Sequence, residues 1–250
     1  MKRLLLPGSL AAGQRVELSG ADYHYLGHVL RYRAGDRVGG LDASGARWEL
    51  ELVDDDGSRL LAIAHPAEAP ERRPAPRVTL YQAIPKGNRL DDLVRRLVQF
   101  GVQRICPIVT ERTVVRPDAD SGRVQRWRRI AREAVQQSDA DGPVEVLASR
   151  PLAQVSPTPG ALSLVLHTEP LAQTSLHGYL GEAPSEIDLV VGPEGGFTEA
   201  ELTALREVGF RPLWLGPQVL RSESAALFVA AAVRILILER DHWQPTTGRA

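Results

Sequence analysis

Cysteine is almost missing from this chain of 250 residues: Cys106 stands alone, which excludes an internal disulfide and any cysteine-based metal cluster. Its setting, Arg104-Ile105-Cys106-Pro107-Ile108-Val109, reads as a buried strand, so the thiol is expected in the core and not as a nucleophile. Lysine is scarce as well, since 28 of the 30 basic residues are arginine. Aromatic residues make up only 5% of the chain, so a core must rest on Leu, Val, Ile and Ala. The longest apolar run, Ala225 to Leu238, is broken by Arg234 and is too short to span a bilayer. The apolar start, Met1 to Gly8, is too short for a signal peptide, so a cytoplasmic protein without a membrane partner is expected.

Several motifs of common chemistry are absent too. No GxxxxGK followed by Ser or Thr occurs, so a phosphate-cradling loop with its lysine is excluded. No GxGxxG dinucleotide fingerprint and no GxSxG nucleophile elbow are present, and His167 and His177 lack a triad context. His24 and His28 sit four apart on a short helical stretch, but no third ligand lies nearby, so no metal is expected.

What is present is a pair of glycine loops. Ile187 to Val191 is a run of strand formers that leads into Gly192-Pro193-Glu194-Gly195-Gly196-Phe197, and Thr198 with Glu201 reads as a capping box that starts a helix. Glycines at 192, 195 and 196 let main-chain N–H groups approach a ligand closely. Leu213-Trp214-Leu215-Gly216-Pro217 repeats the arrangement, so one ligand held between two loops is expected. Glu194 suits either a ligand cation or ribose, or a local bond to turn amides.

Charge is unevenly spread. Residues 72–134 hold 15 basic and 6 acidic residues, whereas residues 135–250 hold 7 and 14, and residues 1–71 hold 8 and 11. The basic middle is either a footprint for nucleic acid or a solvated arginine-rich helix face.

The order of elements suggests two domains. Residues 1–68 show short strands near 14–18, 36–41, 47–52 and 59–64 with one helix from Ala21 to Leu30, as in a small barrel. A proline-rich stretch marks a linker over residues 69–77. From Val78 onward strands alternate with helices, which predicts an α/β domain over 78–250 with a parallel sheet.

Gly192-Pro193-Glu194-Gly195-Gly196-Phe197, followed by Leu215-Gly216 and Leu220-Arg221-Ser222-Glu223-Ser224-Ala225, resembles the paired motifs of SPOUT methyltransferases. The subgroup is the ribosomal RNA small subunit methyltransferase E family, which makes 3-methyluridine in 16S rRNA. His28-Val29-Leu30-Arg31 with Gly35-Asp36, Lys86-Gly87, Thr110-Glu111-Arg112-Thr113 and Glu133 to Ser138 are similar to that family as well. Departures are Gln99 for a usual Glu, Ala140 for an Arg, Gln218 for an Arg, and Ser224 for a Thr.

The resemblance implies a PUA-like RNA-binding β-barrel followed by a SPOUT domain whose parallel sheet carries a deep trefoil knot. It implies a homodimer that uses S-adenosyl-L-methionine and acts on the small ribosomal subunit. Carried over position by position, the cofactor is expected at Leu166, His167, Gly192, Glu194, Gly196, Leu215, Gly216, Val219, Leu220, Ser224 and Ala225. Arg221 is expected to stabilise charge on the uracil oxygen and Glu223 to orient or accept a proton, with an Arg221–Glu223 salt bridge as the competing role. Arg3, Arg31, Lys86, Arg112 and Arg116 are expected at RNA phosphates. A ribose 2′-O-methyltransferase of the same superfamily and a non-catalytic RNA-binding module are the alternatives.

Overall fold

The computed structural model describes residues 3–67, 75–114, 122–138, 142–170, 174–181 and 183–241. Its contacts separate into two units, residues 1–71 with 132–143, and residues 72–131 with 144–250. The linker expected over 69–77 falls mainly outside the described residues.

The first unit is a five-stranded sheet of β1 (Arg3–Leu5), β2 (Arg15–Ser19), β3 (Arg37–Leu41), β4 (Arg47–Asp55) and β5 (Arg59–Pro66), in the order β1-β3-β4-β5-β2. β1 runs parallel to β3 and every other pair is antiparallel. Residues alternate in and out, so Val16, Leu18, Trp48, Leu50, Leu52, Leu60, Ala62 and Ala64 form one apolar cluster. Asp42 is buried beneath it and accepts hydrogen bonds from the amides of Leu10, Ser44 and Ala46, the Ser44 hydroxyl and Trp48 Nε1. The helix expected from Ala21 to Leu30 divides into a short α1 (Gly20–Tyr23) and a π-helical stretch, His24–Val29. Leu30 N–H bonds back five residues to the Tyr25 carbonyl, and Arg31 then takes a left-handed φ of 59°.

The second unit contains a seven-stranded sheet in which every pair is parallel. Its strands are β6 (Arg77–Ala83), β7 (Arg104–Val109), β8 (Glu145–Val146), β9 (Arg150–Pro151), β10 (Leu162–His167), β11 (Glu186–Val191) and β12 (Arg211–Trp214). Their order is β12-β10-β11-β6-β7-β8, with β9 also on β7. β6, β10 and β11 are buried along nearly their whole length, as continuous apolar runs require in a sheet covered on both faces. The helices are α2 (Arg89–Gln99), α3 (Gly122–Gln137, whose residues from 132 on belong to the first unit), α4 (Leu176–Leu180), α5 (Glu199–Glu207) and α6 (Ser222–Asp241). α2 buries the stripe Leu90, Leu93, Val94, Leu97 and Val98, and the chain leaves it through Gly101 at φ 76°. α5 begins with the expected capping box. Cys106 is fully buried in β7, as its apolar neighbours predict.

Candidate functional site

Three neighbouring parallel strands, β12, β10 and β11, end at one edge of the sheet, and the loops leaving them meet around a cavity of about 320 Å³. Binding outside the carboxyl ends of strands is the general rule for sheets of this kind. Leu166 and His167 end β10 and Thr168 and Glu169 follow it, Gly192 to Phe197 follow β11, and Leu215, Gly216 and Gln218 to Leu220 follow β12. Ser222 and Ala225 from the start of α6 and Arg112 from the loop after β7 complete the wall. Three carboxylates, Glu169, Glu194 and Glu199, line the cavity with one guanidinium, Arg112, and Arg89 lies against Glu194, so a small excess of negative charge remains that suits a ligand carrying positive charge better than a phosphate.

Two glycines are required by geometry. A Cβ on Gly192 would stand 3.0 Å from the Phe197 ring, and Gly216 has a φ of 120°, where a side chain is strained.

Buried and half-buried polar groups hold the loops in place. Fully buried Gln82, near the end of β6, donates to the Ser222 hydroxyl at 2.8 Å, and that hydroxyl donates to the Gly192 carbonyl. Glu194 Oε1 accepts from the Lys86 amide at 3.3 Å and lies 3.5 Å from Arg89. The same guanidinium nitrogen of Arg89 lies 3.5 Å from Glu223 Oε1, while Glu223 Oε2 is buried and has no hydrogen-bond partner. Arg112 donates to the Gly195 carbonyl at 2.5 Å. His167 Nδ1 accepts from the Glu169 amide at 3.0 Å.

Of the eleven residues expected at a cofactor, ten line this cavity; Ser224 does not, and is exposed. Arg221 and Glu223 stand beside the cavity and not in its lining. The Arg221 side chain is exposed and unpaired among the described residues, and the ion pair of Glu223 is with Arg89 and not with Arg221. Lys86 reaches the site through its backbone amide, and Arg112 lines the cavity. Arg3 opens β1 and exposed Arg31 follows the π-helical stretch, both in the first unit; Arg116 lies outside the described residues. Gln82, Arg89, Phe197 and Ser222 were not anticipated as site residues, although Ser222 and Phe197 stand inside the motifs.

A larger cavity of about 800 Å³ lies between α5 and the segment following β9, with Leu152, Val155, Ala204, Leu205 and Val208 among its walls. It lacks the glycine loops, and volume alone does not make it the site. Among the described residues no three His, Cys, Asp or Glu side chains gather as for a metal, and the rings of His24 and His28 lie 5.3 Å apart, tilted by 35°. No helix among the described residues is long and apolar enough to cross a membrane.

Comparison with known proteins agrees with this arrangement. Residues 71–234 match the model of an RNA methyltransferase domain, and residues 18–63 match that of an RNA methyltransferase PUA domain. The Synechocystis protein named ribosomal RNA small subunit methyltransferase E is 33% identical, over 89% of this chain and 73% of its own. The protein of that name from Mycobacterium bovis is 32% identical, over 83% of this chain and 79% of its own. A crystal structure of the enzyme of that name from Neisseria gonorrhoeae, bound to S-adenosylmethionine, superposes with a TM-score of 0.82 at 29% identity, covering 94% of this chain and 98% of that one. A putative methyltransferase from Legionella pneumophila, also in complex with that cofactor, gives 0.79 at 28% identity, covering 93% and 96%.

Proposed function

Because the chain belongs to the ribosomal RNA small subunit methyltransferase E family, we propose that it methylates N3 of a uridine in 16S rRNA, with S-adenosylmethionine as donor. The observation that carries the proposal is the cavity at the ends of β10, β11 and β12, with its glycine loops and its excess of carboxylates. When bound, S-adenosylmethionine supplies an electrophilic methyl group on a positively charged sulfur. The residues fit such a group. Leu215, Val219 and Leu220 offer apolar surface, the glycine loops offer main-chain groups, and Glu169, Glu194 and Glu199 offer negative charge.

A uridine N3 is a poor nucleophile while protonated, its pKa lying roughly near that of a phenol, about 10. The chain must therefore accept that proton and stabilise the charge left on the base. Glu223, with one oxygen 3.5 Å from Arg89 and the other buried without a hydrogen-bond partner, is assigned the role of orienting the base or accepting its proton. Arg221, with no side-chain partner among the described residues, is free to face a uracil oxygen. Arg112, Lys86, Arg31, Arg3 and Arg116 contribute phosphate contacts.

The proposal includes a barrel-like RNA-binding first domain over residues 1–68, a linker over 69–77 and a knotted domain over 78–250 that pairs with a second copy. The return of α6 onto α2, β6 and β11, after β12 is laid beyond β10, supports the knot. Phe228 and Ile235, seven residues apart on α6 and both exposed, support a partner there. The cytoplasm is the proposed location. The test is a nucleoside digest of small-subunit rRNA after incubation with the protein and a methyl-labelled donor. We expect labelled 3-methyluridine. Label on a ribose would move the reaction to the 2′-hydroxyl, and RNA binding without label would leave a binding module.

A further inference from the structure

Glu201 is accounted for so far only as the partner of Thr198 in a helix cap. Its carboxylate does more. Oε2 accepts from the Thr198 amide at 2.9 Å, which is the cap, while Oε1 accepts from the amide of Glu111 at 2.8 Å, ninety residues earlier in the chain. Glu111 is the residue before Arg112, in the loop that leaves β7. Arg112 then reaches the glycine loop, where one guanidinium nitrogen donates to the Gly195 carbonyl and its stem packs 3.3 Å from where a Gly195 Cβ would be. A guanidinium has five N–H donors. The others on this exposed side chain have no partner among the described residues.

A long exposed arginine ordinarily samples many rotamers, and each one frozen on binding costs affinity. Here both ends are fixed: the backbone by Glu201 and the head group by Gly195. The unused donors are thereby held at the rim of the cavity. Resting on the function proposed above, we infer that Glu201 is a positioning residue for Arg112, setting that cation in place for an RNA phosphate beside the methyl-donor cavity. Glu201 itself touches neither RNA nor donor; it acts through Arg112.

The test is direct binding of a 16S rRNA fragment, by filter retention, to the wild type, Glu201→Gln, Arg112→Ala and the double variant. An amide at position 201 keeps one acceptor and turns a donor toward a facing N–H, so either cap or staple is lost. We expect Arg112→Ala to weaken RNA binding about 10-fold and to lower the salt dependence by about one ion. Glu201→Gln should weaken it about 5-fold, and the double variant should be no weaker than Arg112→Ala, because the two residues form one chain of action. Thr198→Ala removes the cap hydroxyl but not the staple, and should bind RNA as the wild type does. The affinity of Glu201→Gln for S-adenosylmethionine, by calorimetry, should stay within about twofold of wild type. Unchanged RNA binding by both Glu201→Gln and Glu201→Ala (the latter keeping neither acceptor), losses that multiply in the double variant, or a matching loss in Thr198→Ala would overturn the inference. A wild type that binds RNA but not S-adenosylmethionine would instead overturn the proposed reaction and leave the positioning role to be judged by the RNA data.

Discussion

Replacing Gly192 by alanine places one methyl group against an aromatic ring, and its consequence can be worked from distances. The new Cβ would lie 3.0, 3.2 and 3.3 Å from Cε2, Cδ2 and Cζ of Phe197, where ordinary contact begins at 3.4 Å. The ring must retreat by several tenths of an ångström. The ring packs against the cluster that includes Tyr81, Val190 and Phe210, so it cannot sink deeper without cost. Overpacking of this kind costs about 1–3 kcal/mol. Phe197 is only half-buried, so the easier path is outward, and its loop from Gly192 to Gly196 moves with it. The penalty should appear chiefly at the cavity: about 5- to 30-fold weaker binding of S-adenosylmethionine by calorimetry, equivalent to about 1–2 kcal/mol. Gly196→Ala is the internal control. Its φ of 70° costs an alanine about 1 kcal/mol, but nothing lies within 4 Å of the new Cβ, so affinity should fall no more than about threefold. Adding Phe197→Leu to Gly192→Ala should recover most of the lost affinity. Full affinity in Gly192→Ala, or no recovery in the double variant, would refute the steric argument.

Other outcomes follow from single sites. Asp42→Ala strands the buried Trp48 N–H and several amides, and should cost about 3 kcal/mol in urea unfolding. Burial by itself raises the Asp42 carboxyl, but hydrogen bonds from Ser44, Leu10, Trp48 and Ala46 outweigh it and hold it down at about 2. With the folded value depressed, its contribution is complete above the ordinary value of 3.8 and is lost as pH falls toward 2; an Asp42→Ala protein should show a smaller acid-induced loss across that window. Burial pushes the Cys106 thiol up to about 11 against the opposing pull of Arg150, so a thiol reagent at pH 8 should label it only after unfolding in urea. Arg31→Gly relieves a left-handed backbone and should raise stability by up to about 1 kcal/mol while weakening RNA binding; Arg31→Ala should lose the RNA contact without that gain. Equal melting temperatures for the two Arg31 variants would remove the strain argument.

Local pattern made much of this molecule legible. Apolar runs mark β7 and β11 as strands, and both are buried along most of their length. The glycine loop with its helix start was legible because turn and cap are chemistry of adjacent residues. β1 was not read as a strand, because three residues beside a proline and a glycine carry no periodicity; only pairing with β3 defines it. The π-helical stretch was read as ordinary helix because spacing near four residues does not separate the two windings.

The site shows the same division more sharply. Gln82 meets Ser222 across 140 residues, Arg89 meets Glu194 across 105, and Glu111 meets Glu201 across 90. Each contact depends on which strands become neighbours, and strand order is a property of the folded sheet that no local pattern carries. Arg221 and Glu223, separated only by Ser222, invite a pairing by proximity in sequence. Arg221 stands just before α6 and Glu223 in its first turn, and Arg89 from α2 takes the carboxylate instead. Glu201 belongs to both classes at once. A carboxylate has two oxygens, and the capping pattern speaks for only one of them; the other was free to bind whatever the fold delivered, and the fold delivered the residue before Arg112.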